Sequence, residues 1–372
     1  AQRRGSVGSF HCSHVTLLTR ISPRGNSGFS VSIFTAPQGP IESAGMSNTT
    51  TELSTVPTPL TGTVVGRSPG RLAWNRFRND RKTVVAAVVV ALTAILAILA
   101  PILVAVGVLD PYTLHQDLLD DIGLPLGPLG GVSWQHPLGV EPGVGRGVVS
   151  RIWYGLTFSL MISLTAAVFS MIIGVVLGII AGTSGGWVDA VIGRFIDLML
   201  SFPQTLMLLA RSATGLAFIT MTLHVPAGDP AQAVYVIIVL SIFGWMGIAR
   251  IVRGQVLSLR EREFVEAARL IGASRARIWF RALLPSLWAP VLVQFTLMLP
   301  AYISTEAALS YLGISIIPPT PTLGNVMRVS ISYATADPLF FLAPAVVLVI
   351  IVVAFNLLGD GLRDALDPRS NR

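Results

Sequence analysis

The sequence predicts an all-α membrane protein, with six transmembrane helices preceded by a disordered N-terminal tail. Three observations carry that expectation. Of the 372 residues, 52% are hydrophobic and only 12% charged, where a soluble domain carries about a quarter charged residues. Six long apolar runs recur along the chain, and several have no charged face that could be turned to water. The arginines gather on alternate connections between those runs.

Residues 1–70 are rich in Ser, Thr, Gly and Pro without a sustained apolar period, a composition that does not offset the entropy of ordering. A signal peptide needs a continuous apolar core of about seven or more residues, and Val15-Thr16-Leu17-Leu18 is too short. Met46 with Ser47-Asn48-Thr49 resembles a translation start, in which case residues 1–45 are an upstream extension.

Residues 71–372 form the predicted six-helix domain. A helix needs about 20 apolar residues to cross the hydrocarbon core. The expected spans are 83–109, 154–182, 193–221, 234–251, 283–311 and 339–358. The third is interrupted by Asp197 and Arg211, and the fifth holds Pro290 and Pro300. Proline is tolerated there because neighbouring helices and polar side chains re-satisfy the freed backbone groups.

Orientation follows from the arginine and lysine distribution. With the N-terminus inside, the cytoplasmic set holds Arg67 to Lys82, Arg194, the eight arginines from Arg250 to Arg281, and Arg363, Arg369 and Arg372. The outer set holds only Arg146, Arg151, Arg211 and Arg328. Both termini are therefore expected in the cytoplasm. The outer connection from Asp110 to Ser150 is acidic and rich in Gly and Pro, and reads as a solvated loop.

Composition and motifs also exclude functions. The net charge of +7 does not indicate nucleic acid, because the basic residues sit between apolar runs and not along one exposed face. Cys12 is the lone cysteine, and His11, His14, His115, His136 and His224 are scattered, so no metal-ligand spacing appears. Lys82-Thr83 lacks the glycines of a phosphate-binding loop. No nucleophile–base constellation lies within the spans, and an ion-coupled carrier would need mid-membrane acids, for which only Asp197 is a candidate.

The informative segment is the connection 254–282. Leu259 to Leu270 has good helix formers, with Glu towards its start and Arg towards its end, as the macrodipole prefers. Gly272 permits the positive φ of a helix cap. A short helix, a bend and a second short helix are expected, presenting small alanine side chains.

Glu266-Ala267-Ala268, three residues, Gly272 and a closing Leu284-Pro285 resemble the cytoplasmic "EAA" coupling loop of prokaryotic ATP-binding-cassette (ABC) importer permeases. Ala282 stands where that family usually has Ile. Further matches narrow the subfamily: His136-Pro137-Leu138-Gly139, Gly185-Gly186-Trp187-Val188-Asp189, Thr305 to Gly313, Pro318-Pro319-Thr320-Pro321 and Asn356 to Asp364. They resemble the C-type permease subunits of dipeptide, oligopeptide and nickel transporters. Gly145-Arg146-Gly147 departs from that family's usual Gly-Arg-Asp.

The resemblance implies a type I importer fold in the prokaryotic plasma membrane and an importer of dipeptides or oligopeptides. The loop would dock a separate ATPase. Nickel or another small solute is the alternative cargo, and an ion-coupled carrier the more distant one. Its implied partners are a second permease subunit in a heterodimer, two ATP-binding subunits, an extracytoplasmic substrate-binding protein and membrane lipid. The chain itself would bind no cofactor, and its partners would hydrolyse ATP.

Charged residues in or near the spans complete the candidate list. Arg194 and Asp197, three apart, are expected to pair with each other. Arg211 lies roughly 25 Å along the helix from Arg194, and Glu306 roughly 30 Å beyond Pro285. Both therefore fall near the outer boundary. Arg211 is read as snorkelling and Glu306 as bonded to the following loop, with a substrate-pathway contact as the second reading for each.

Overall fold

The computed structural model describes residues 10–12, 15–17, 69–201 and 212–366. Two compact units emerge, 1–64 and 65–372. In the first, β1 (Phe10–Cys12) pairs antiparallel with β2 (Val15–Leu17), where composition led us to expect no regular structure. Alternation of Val, Thr and Leu suits a short strand pair even in a polar context.

The second unit is helical. It comprises α1 (Pro69–Asn79), α2 (Arg81–Ala105), α3 (Val148–Ser184), α4 (Gly186–Leu200), α5 (Ser212–Thr222), α6 (Asp229–Leu259) and α7 (Glu263–Leu270). These are followed by α8 (Arg275–Tyr311), α9 (Leu323–Ile331) and α10 (Pro338–Leu366). Among the described residues, five of these are long and apolar enough to cross a membrane: α2, α3, α6, α8 and α10. The predicted third span corresponds to α4 and α5, and residues 202–211 between them lie outside the described set.

Helices run past the apolar stretches that announced them. Lipid fixes where hydrophobicity ends, but the backbone ladder continues through polar residues of good helix propensity. Thus α6 extends eight residues beyond Ile251 to Leu259, and α10 eight beyond Leu358 to Leu366. Asp80 separates α1 from α2 as an N-cap, accepting from the amides of Lys82 and Thr83 at 3.2 and 3.3 Å. Gly185, at φ +64°, breaks α3 from α4.

The centre of the bundle is the α3–α6 pair. Gly174, Gly178 and Gly182 repeat every fourth residue and form one ridge of α3. A Cβ on them would stand 2.7 Å from Ile248 Cβ, 2.7 Å from Val252 Cβ and 2.6 Å from Val256 Cγ1 respectively. Such small residues let two backbones approach closely where no hydrophobic drive separates helix from lipid. Both sequences rise together along this contact, so α3 and α6 run parallel.

Around that pair, Trp153 Nε1 and Thr157 Oγ1 on α3 donate to the carbonyls of Leu96 and Ala97 on α2, each at 2.7 Å. Tyr302 of α8 reaches into the pair: its hydroxyl lies 2.6 Å from Ser170 Oγ, against Gly244. On α10, Gly359 accommodates Leu297 of α8, and Gly361 accommodates Thr83 of α2.

Candidate functional site: the bent helical knob

The knob is α7, a bend at Gly272 and the start of α8. Helix α6 ends at Leu259 and Arg262 caps the separate α7, so the single helix expected from Leu259 to Leu270 is broken at 260–262. Glu263 and Glu266 fall in the first turn of α7 and Arg269 in the last, an arrangement the helix dipole favours. At its end, Ala273 N donates to Ala268 O and Gly272 N to Arg269 O, both at 3.0 Å. These two bonds close a Schellman motif, and Gly272 supplies the left-handed residue it needs at φ +76°.

Beyond the bend, the Ser274 hydroxyl accepts from Arg277 N at 3.4 Å and caps α8. No second short helix forms, because the chain runs on into the membrane helix through a π turn at Ile278–Leu283. Pro285 explains the wider turn: it has no N–H to give to Arg281, four residues back, and its ring crowds that carbonyl.

Val265 is fully buried and anchors α7 on the core with Ile278 and Leu283. Glu266, Ala267 and Gly272 face solvent, while Ala268 is half-buried. Leu270 and Ile271 are each 82% exposed. This apolar tip was missed in the sequence, although two adjacent aliphatics before a capping glycine are a readable signal. Leu284 is at the margin of exposure, and Leu283 beside it is fully buried.

Ion pairs brace this end. Arg253 Nη2 donates to Asp189 Oδ2 at 2.9 Å, tying α6 to α4. That bond, with the charge of Arg253, holds the Asp189 carboxyl below its ordinary range. Asp197 pairs with Arg250 of α6, and not with Arg194 as the three-residue spacing suggested. The closer cation lies across the helix interface. Arg260 Nη1 donates to Gly182 O at 3.2 Å, covering a free carbonyl at the end of α3.

The opposite end is built differently. Glu306, five residues from the end of α8, is fully buried. Ser159 donates to its Oε2 at 2.8 Å and Ser315, in the following loop, to its Oε1 at 3.1 Å. Thr322 and Asn325 form a capping box at the start of α9, and Asn325 Nδ2 donates to Thr320 O at 2.8 Å. Helix α9 itself was not anticipated, though its Thr-x-x-Asn start was legible.

The connection from Asp110 to Ser150, expected to be a solvated loop, is also more ordered than that. Glu141 is 1% exposed and holds Arg146 through two bonds, Nε at 2.7 Å and Nη2 at 3.0 Å. Arg151 Nε stands 3.3 Å from the same carboxylate, and its Nη1 donates to Pro319 O at 3.2 Å. Glu141 thus supplies the acid for both arginines in a segment where Gly147 follows Arg146. The rings of His115 and His136 lie 4.8 Å apart. Burial, and next the charge of His115, push the His136 pKa down. Arg211 lies outside the described residues.

Residues 174–372, which hold the glycine ridge, the knob and the last two long helices, match the family described as binding-protein-dependent transport system inner membrane component. The chain belongs to this family. Residues 68–126 match the N-terminal transmembrane domain of oligopeptide transport permease C, which places the chain among the C-type permeases of ABC importers for peptides or nickel. A glutathione transport system permease protein GsiD from Shigella flexneri is 36% identical over 303 residues, covering 82% of this chain and 91% of that protein. Its counterpart from Salmonella paratyphi A is 38% identical over 305 residues, with the same coverage. Among solved structures, an inward-facing MetNI methionine ABC transporter aligns with 59% of this chain and 96% of its own, at 20% identity and a TM-score of 0.44.

This ABC importer permease is therefore an integral, multi-pass inner-membrane protein. Permeases of the family are not themselves enzymes. Family membership implies ATP-binding subunits and a substrate-binding protein as partners.

Proposed function

We propose that this permease forms half of the pathway of a peptide importer, in a heterodimer with a second permease, and that α7 with Gly272 seats in a groove of an ATP-hydrolysing partner. The observation that carries this reading is the knob: a rigid Schellman bend that presents Glu266, Ala267, Leu270 and Ile271 to solvent while Val265 locks it to the bundle. Exposed aliphatics on a small-residue platform are what a protein interface covers. The fixed φ of Gly272 sets the angle at which they are offered.

The parallel course of α3 and α6 supports a sixth crossing. The end of α3 and the start of α6 lie at opposite ends of the bundle, so the α4–α5 segment has to return the chain. With the arginine distribution, this favours both termini and the knob on the cytoplasmic side. The relatives named for glutathione transport support a cargo of short-peptide size, with nickel as the alternative. ATP is hydrolysed by the partner subunits and not by this chain.

The test is uptake of labelled glutathione and dipeptides in cells lacking the native chain and expressing it from a plasmid, with membrane content measured in parallel. Glu266→Lys and Gly272→Val are expected to abolish uptake at unchanged membrane content. Uptake that persists with both changes combined rejects the docking assignment. Uptake that survives ATP depletion but stops when the proton gradient collapses rejects the ATP-driven reading itself.

A further inference from the structure

We propose that α1 and the cytoplasm-proximal end of α10 form a binding site for an anionic diacyl phospholipid. The site combines an apolar crevice with a cluster of basic residues along α1 and the start of α2. The crevice, of about 400 Å³, lies between α1, α8 and α10. Ala73, Trp74 and Phe77 line it from α1, at the spacing of one helix face. Leu358, Leu362 and Leu366 line it from α10, also at one-face spacing. The eight steps from Leu358 to Leu366 span roughly 12 Å of helix, so the crevice runs from the helix end into the depth of the bilayer.

Position and charge identify the occupant. Helix α2 starts at Arg81 and is apolar from Val84 onward, which fixes α1 at the boundary of the hydrocarbon core. There the aromatic pair Trp74–Phe77, stacked with ring centroids 5.8 Å apart, sits where such rings partition. Trp74 is 62% exposed, a large apolar surface for water to meet.

Residues 71–82 hold five basic side chains (Arg71, Arg76, Arg78, Arg81 and Lys82) against one acid, Asp80. Asp80 is committed to capping α2. Asp360 and Asp364 each stand two positions from Leu362, on the side of α10 away from the crevice. The segment that forms one wall of this acyl-sized cleft is thus strongly basic, which complements a phosphodiester headgroup and not a neutral one.

Lipid titration of the full-length chain in non-ionic detergent, followed by native mass spectrometry, tests this. Phosphatidylglycerol and phosphatidylcholine of identical acyl chains are the two probes. The wild-type chain is expected to retain phosphatidylglycerol in preference. Each basic residue beside an anionic lipid contributes roughly five-fold, so Arg71→Gln combined with Arg78→Gln should weaken phosphatidylglycerol binding about twenty-five-fold and leave phosphatidylcholine binding unchanged. Ala73→Trp, which fills the cleft without touching charge, should lower retention of both. Equal binding of the two lipids by the wild type, as follows if protein fills the cleft, overturns the proposal. So does a preference that survives the double glutamine change.

Discussion

The two ends of the bundle solve opposite problems. At the Glu306 end, polar groups are withdrawn from water and partnered within the chain: Glu306 by two serines, Arg146 by Glu141, Asn325 by loop carbonyls, while Arg151 shares the charge of Glu141 and donates one hydrogen bond to Pro319 O. At the knob, Leu270 and Ile271 are left in solvent, and the Arg250–Asp197 ion pair behind it is more than half exposed on both sides. A buried polar network is costly to damage because each orphaned group loses its water as well as its partner. An exposed surface costs the fold almost nothing to change. Stability is concentrated at one end, and capacity for association at the other.

That contrast breaks or sharpens with four measurements. The largest effect is expected from Glu141→Ala, which strands Arg146 and Arg151 with no carboxylate between them. Removing one partner of a buried ion pair costs about 3–5 kcal/mol, visible as a large drop in melting temperature of the purified protein in detergent. An unchanged melting temperature would deny that the 110–150 connection is a structural clasp. Glu306→Ala follows, at about 1–3 kcal/mol, for two serine hydroxyls left without an acceptor. Glu306→Gln, which retains one acceptor, should recover part of that loss in the same assay.

Acidification should act more gently. Because the folded-state pKa of His136 is depressed below 6.5, its contribution is fully present above that value. It is lost as pH falls through the lower folded value. Amide protection factors in residues 110–147, taken relative to intrinsic exchange at each pH, should therefore fall on acidification, and His136→Gln should flatten that response. The smallest stability effect belongs to Leu270→Ser with Ile271→Ser, within about 0.5 kcal/mol. The same double change should abolish co-purification of the ATP-binding subunit. A knob that tolerated those serines in both assays would not be an interface.

Much of this was legible in the residues. Of the six apolar runs read as spans, five are long helices among the described residues, and Glu266-Ala267-Ala268 with Gly272 announced the bend. What escaped were pairings between elements distant in sequence. Asp197 looked suited to Arg194 because spacing within a helix is visible in sequence, whereas Arg250 is 53 positions away. The connection from Asp110 to Ser150 looked solvated because its acids are plain to see and its folding is not: Glu141 is buried against Arg146 and Arg151. The π turn needed the knowledge that Pro285 continues a helix already begun ten residues earlier.

The glycine ridge of α3 has a mechanical corollary. With three side chains of α6 seated where no Cβ is allowed, neither rod has room to slide or roll over the other without collision. The two behave as a single spar. The remaining helices pack around this spar, and Tyr302 is one contact by which α8 grips both rods at once.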